Sequence, residues 1–65
     1  MNEKDFFITL LKHNIKMFIK AAEENRDNTQ DYIETAIFET QRLTLENTLK
    51  LIDETNERLM NLSRG

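Results

Sequence analysis

Apolar positions fall along this chain in two helical series. Read at about 100° per residue, Phe6, Phe7, Ile8, Leu10, Leu11, Ile15, Met17, Phe18, Ile19, Ala21 and Ala22 span roughly 220° of a cylinder. The strip left over holds Thr9, Lys12, His13, Lys16 and Lys20. A helix packed on one neighbour shows an apolar stripe a little over about 100° wide. The arc therefore predicts a first helix covered from two sides. Its seam is Ile8, Leu11, Ile15, Phe18 and Ala22, at alternating steps of three and four.

The second series is Phe38, Leu45, Ile52 and Leu59, spaced by seven and flanked by Ile37, Leu49, Leu51 and Leu62. Strict seven-residue spacing favours left-handed supercoiled packing. Gln41, Thr48 and Thr55 interleave it and make this seam the more polar of the two. Strand alternation persists nowhere. With no proline and one glycine, the reading is all-α.

Helix boundaries follow from polar punctuation. Asn2-Glu3-Lys4-Asp5 is an N-cap with an acid three residues on. Helix 1 is expected from about residue 3 to about 24. The cluster Asn25-Arg26-Asp27-Asn28-Thr29 contains no apolar residue. Asn tolerates the left-handed conformation that ends helices, so the turn is placed at about 25–28, with Asn25 in that conformation. Asn28 and Asp31 repeat the cap pattern, and helix 2 is expected from about 29 to 62. Carried onward, the register of helix 1 reaches Tyr32, Ala36, Glu39 and Leu43 and misses the second series. That slip of phase favours a helical hairpin over one continuous helix.

Lengths add to this. Helix 1 would be roughly 33 Å long and helix 2 roughly 50 Å. About three turns of helix 2, carrying Ile52, Leu59, Met60 and Leu62, would then lack a partner. This segment frays, folds back after a break near 44–47, or meets another chain. The wide arc and the overhang both point to a homodimer, with two hairpins forming an antiparallel four-helix bundle. The expected core and dimer contacts are Phe7, Ile8, Leu11, Asn14, Ile15, Phe18, Phe38, Leu45, Ile52 and Leu59. Asn14 is the one polar member. It either fixes register as a buried amide or sits at the rim.

Size sharpens the same expectation. Sixty-five residues make one domain, in which burial barely offsets ordering entropy. There is no cysteine and a single histidine, so neither disulfides nor a thiolate metal site can reinforce the fold. No metal or cofactor is expected, and oligomerisation is the remaining route. No apolar run is long enough to span a membrane. The first residues lack the basic start of a signal peptide, and the chain is expected in the cytoplasm. Abundant Lys, Asn, Ile, Glu and Thr, with no Pro, suit a low-GC bacterial or phage gene.

Candidate chemistry is sparse. Lys12, Lys16 and Lys20 form a one-sided basic stripe, which Glu39, Glu46 and Asp53 on helix 2 are placed to neutralise. His13 has neither a nucleophile nor an orienting acid beside it. Asp53, Glu54 and Glu57 read as solvated charge, and no Gly-rich phosphate loop or Glu-x-x-His pair occurs. The expectation is therefore not an enzyme. Tyr32 and Leu43 lie off the seam of helix 2. With Glu39, Glu46 and Asp53 they make a candidate partner surface, since aromatic residues are enriched at interfaces. The expected function is a small regulatory or adaptor protein that binds another protein, such as a phage or bacterial inhibitor occluding a target surface. The rival expectation is an RNA or DNA backbone held by Lys12, Lys16 and Lys20 of a dimer, in a salt-dependent way. The net charge of −3 counts against bulk nucleic-acid binding. The acidic second helix counts against a membrane-surface or calmodulin-type role.

Overall fold

The computed structural model describes residues 2–64. They form two helices, α1 (Glu3–Asn28) and α2 (Tyr32–Arg64), joined as a hairpin. α1 starts where its cap pattern predicts. Asn2 is extended, and its Oδ1 accepts from the Asp5 backbone N–H at 2.8 Å. Glu3 and Asp5 add negative charge to the positive end of the helix dipole.

α1 ends four residues later than predicted, which corrects the turn from 25–28 to 29–31. Asn25 is helical, and among the described residues none has a positive φ. The stretch Asn25–Asn28 is polar, but it has neither proline nor glycine to stop a helix. Continuing the helix carries Arg26 opposite Glu39, where Nη1 donates to Oε1 at 2.7 Å. The chain leaves the helix at Thr29, which is extended.

The N-cap of α2 is Asp31, not Asn28. Its Oδ1 accepts from the Ile33 N–H at 2.8 Å and the Glu34 N–H at 3.3 Å. Thr29 ties this corner together. Its hydroxyl donates to Glu34 Oε2 at 2.8 Å and accepts from the Asp31 N–H at 3.2 Å. The sequence signal was Asp31 followed three residues later by Glu34, a stronger capping pattern than Asn28 and Asp31. α2 then continues unbroken through 44–47.

Moving the turn removes the expected overhang. Lys12 pairs with Asp53 and Arg26 with Glu39, so residue n of α1 lies beside residue 65−n of α2. The open end of the hairpin is nearly flush. Ile8 shares a groove with Thr55 and Leu59, segments that the earlier turn would have left unpartnered.

The two helices make a flat body with extents of 51 × 20 × 9 Å. Among the described residues, only Ile15 (7% exposed) and Ala22 (4%) are buried. Ile8, Leu11 and Ile19 of α1 are half-buried against Phe38, Leu45, Leu49 and Ile52 of α2. Two cylinders touch along one line, so α2 covers only one side of the wide apolar arc of α1. The other side stays in solvent, with Phe7 64% and Phe18 63% exposed.

Candidate interaction surface

The uncovered side chains share one face of the hairpin. On α1 they are Phe7, Leu10, Asn14, Met17, Phe18 and Ala21, at the three-and-four spacing of a helix face. None is charged. On α2 the matching strip is Ile33, Ile37, Thr40, Gln41, Thr44, Thr48, Leu51 and Thr55, again without a charge. Glu3 and Glu24 continue the α1 series at its two ends, and Arg58 continues that of α2 towards Leu62. One groove joins the two strips, lined by Phe18, Ala21 and Asn25 from α1 and by Thr40, Gln41 and Thr44 from α2. A second groove towards the open end is lined by Ile8, Thr48, Leu51, Thr55 and Leu59.

Two of the four threonines, Thr40 and Thr48, suit a face that can be dehydrated. Thr40 Oγ1 donates to the Ala36 carbonyl at 2.8 Å, and Thr48 Oγ1 to the Thr44 carbonyl at 2.9 Å. A hydroxyl satisfied within its own helix leaves its methyl group for contact. Such a residue is small enough for a second helix to approach closely. It also brings no unmet donor into the interface.

Charge is gathered on the opposite face. Arg42 Nε donates to Glu39 Oε1 at 2.7 Å and Nη2 to Glu39 Oε2 at 2.8 Å, while Nη1 reaches Glu46 Oε2 at 2.9 Å. Arg26 donates to the same Glu39 oxygen from α1. The paired hydrogen bonds from Arg42, and then the one from Arg26, hold the Glu39 carboxyl at about 2, below its ordinary 4.5. Both guanidiniums are pushed up, in each case chiefly by Glu39. A carboxyl lowered by folding stabilises the fold above its ordinary value and loses that contribution as pH falls through the lowered one. The melting temperatures of the wild type and Glu39→Gln should therefore differ by a constant amount above pH 5. The gap should close as pH falls from 4.5 towards about 2. A gap that stays constant down to pH 2 would show that the cluster does not act on folding.

The expected pairing of the lysine stripe with Glu39, Glu46 and Asp53 forms at one point only, Lys12 with Asp53. Glu39 and Glu46 are taken by arginines. Among the described residues neither Lys16 nor Lys20 forms an ion pair. The missed signal was local: Arg42 stands three residues after Glu39 and four before Glu46, within reach on one helix face.

The remaining candidates are placed as follows. His13 is exposed beside the lysines, and Asn14 is exposed on the uncharged face. Tyr32 is 82% exposed at the start of α2, and Leu43 lies on the same outer edge. Of the heptad series, Phe38, Leu45 and Ile52 face α1, while Leu59 is more exposed at the groove's open end. Among the described residues no group of three or more His, Asp or Glu is placed to hold a metal ion. No helix of those residues is long and apolar enough to cross a membrane. Comparison with protein-family models, with curated proteins and with solved structures finds no match to this chain.

Proposed function

We propose that this chain is a non-enzymatic regulatory or adaptor protein of the cytoplasm that acts by binding protein through its uncharged face. One observation carries the reading: every interhelix ion pair lies on one side of a two-helix sheet, while Phe7, Leu10, Met17 and Phe18 stand exposed on the other. Contiguous exposed apolar surface on a small protein marks an interaction site. In the finer form of the reading a second hairpin covers this face, making an antiparallel four-helix bundle. The outer edge of α2, with Tyr32, Leu43, Glu39 and Glu46, then meets the target protein and occludes part of it.

Contact with a nucleic-acid backbone is the second reading. It is favoured by Lys16 and Lys20, which among the described residues have no acidic partner. It is the weaker one. Lys12 is engaged by Asp53, so the stripe offers two unpaired cations on a chain of net charge −3, and counterion release scales with the phosphates neutralised.

Photo-cross-linking in the host cell tests the protein-binding reading. A photoreactive side chain at Phe18 or Leu51 is expected to give protein adducts, whereas one at Lys16 or Lys20 is not. Equal yields from both pairs, or no adduct from the first, would overturn it.

A further inference from the structure

We infer that two hairpins pair face to face about a two-fold axis passing beside Asn14, with their turns at opposite ends. This deepens, and rests on, the reading of the uncharged face as a protein-binding surface.

The amount of uncovered surface fits one more copy of the same body. The chain exposes 5456 Å², whereas a compact protein of 7.8 kDa exposes about 4,400 Å². The excess is on the order of 1,000 Å², and a stable interface takes roughly 800 Å² from each partner. The face measures 51 by 20 Å, and a second hairpin has the same outline. The charges of the strips lie at their ends, and pairing about Asn14 and the midpoint of residues 49 and 50 sets Glu3 against Asn25, Glu24 against Lys4 and Arg58 against Gln41, so no like charges meet. The ionic faces, on a chain of net charge −3, remain in solvent.

The order of side chains supplies the axis. On α1, Phe7 and Ala21 stand seven residues either side of Asn14, and Leu10 and Phe18 stand four either side. Antiparallel self-pairing centred there sets Phe7 against Ala21 of the second copy, Leu10 against Phe18, and Asn14 against its own mate. The large Phe7 then meets the small Ala21, as close packing favours. On α2, Ile37 and Leu62, Thr44 and Thr55, and Thr48 and Leu51 are each related about the midpoint of residues 49 and 50. A shift by one heptad would preserve the pattern but leave seven residues of each strip unpaired.

These two centres lie at one level of the hairpin. The pairs Lys12–Asp53 and Arg26–Glu39 set Asn14 beside residue 51. That is within about 2 Å, along the helix, of the centre read from α2 alone. A single two-fold axis therefore serves both helices. Asn14 gains a role from it. An amide both donates and accepts, so it can pair with an identical amide across the axis. A polar residue at such a contact specifies register. With the turns at the same end, α1 would instead lie over α2 of the second copy. Asn14 would then face Leu51, which cannot satisfy it.

The full chain contains no cysteine, so single cysteines can be introduced cleanly. Mild oxidation of Asn14→Cys is expected to convert the protein to a disulfide-linked dimer. Spin labels on Gln30→Cys, in the turn, should read roughly 48 Å apart, being sixteen helical residues from the axis in each copy. Sedimentation of the wild type at micromolar concentration should give twice 7.8 kDa. Turn labels within about 20 Å of each other, near the 20 Å width of the hairpin, would overturn the orientation. A wild-type monomer would overturn the pairing itself. In that case, adducts from Phe18 heavier than two chains would leave the protein-binding reading standing, and their absence would remove both.

Discussion

Ile15→Ala is expected to destabilise the hairpin by about 3 kcal/mol, a loss comparable to its whole stability. Ile15 is one of two buried side chains among the described residues. It sits mid-way along α1 and contacts the half-buried row of α2. Removing buried methyl groups loses their transfer energy and leaves a void that the neighbours only partly fill. Stability per residue runs near 0.05–0.15 kcal/mol, so a chain of this size has roughly 3–10 kcal/mol in total. A two-helix sheet with so little buried surface belongs at the low end. Urea titration followed by helical circular dichroism checks this, with Phe6→Ala, at a side chain 61% exposed and outside the paired strip, as the comparison. A loss below about 1 kcal/mol for Ile15→Ala would mean that the contact between α1 and α2 is not what holds the hairpin.

Phe18→Glu should separate association from folding. In the lone hairpin Phe18 is 63% exposed, and exposed substitutions usually change stability by less than about 0.5 kcal/mol. In the paired form each copy would place a carboxylate against the apolar side chain of Leu10 of the other. A charge desolvated without a partner is strongly unfavourable. The dissociation constant should rise at least about 100-fold, equivalent to roughly 2.7 kcal/mol. Sedimentation equilibrium measures it. Lys16→Glu, on the charged side of α1, should leave association unchanged. If Phe18→Glu kept the wild-type dissociation constant, the uncharged face would not be the contact.

Much of the architecture was legible along the chain. The Asn2 cap, the series Phe38, Leu45 and Ile52, and the phase slip between the two series specify an all-helical hairpin. The position of the turn was not legible. A cluster such as Asn25–Asn28 has no strong stop signal, and the contact that extends α1 joins Arg26 to Glu39, a partner distant in sequence. That displacement removed the overhang, whereas the wide arc of α1 is left half uncovered and still calls for a second chain.

The lysine stripe shows the same boundary. Helical spacing put Lys12, Lys16 and Lys20 on one side of α1 and Glu39, Glu46 and Asp53 on one side of α2, but which charges meet depends on the register between helices. Arg42, on the same helix as Glu39 and Glu46, reaches them without any tertiary contact, so two of the three acids were engaged locally.

Local periodicity and capping determined that this protein has two helices and which residues share a face on each, because those properties depend on neighbours a few positions away. The tertiary structure alone decided which half of the apolar arc α2 covers, where the turn falls, and that the strips of α1 and α2 lie on a common uncharged side. Those features depend on the relative rotation and register of two helices, and they are set by long-range contacts such as Lys12–Asp53 and Arg26–Glu39 that no spacing within one helix encodes.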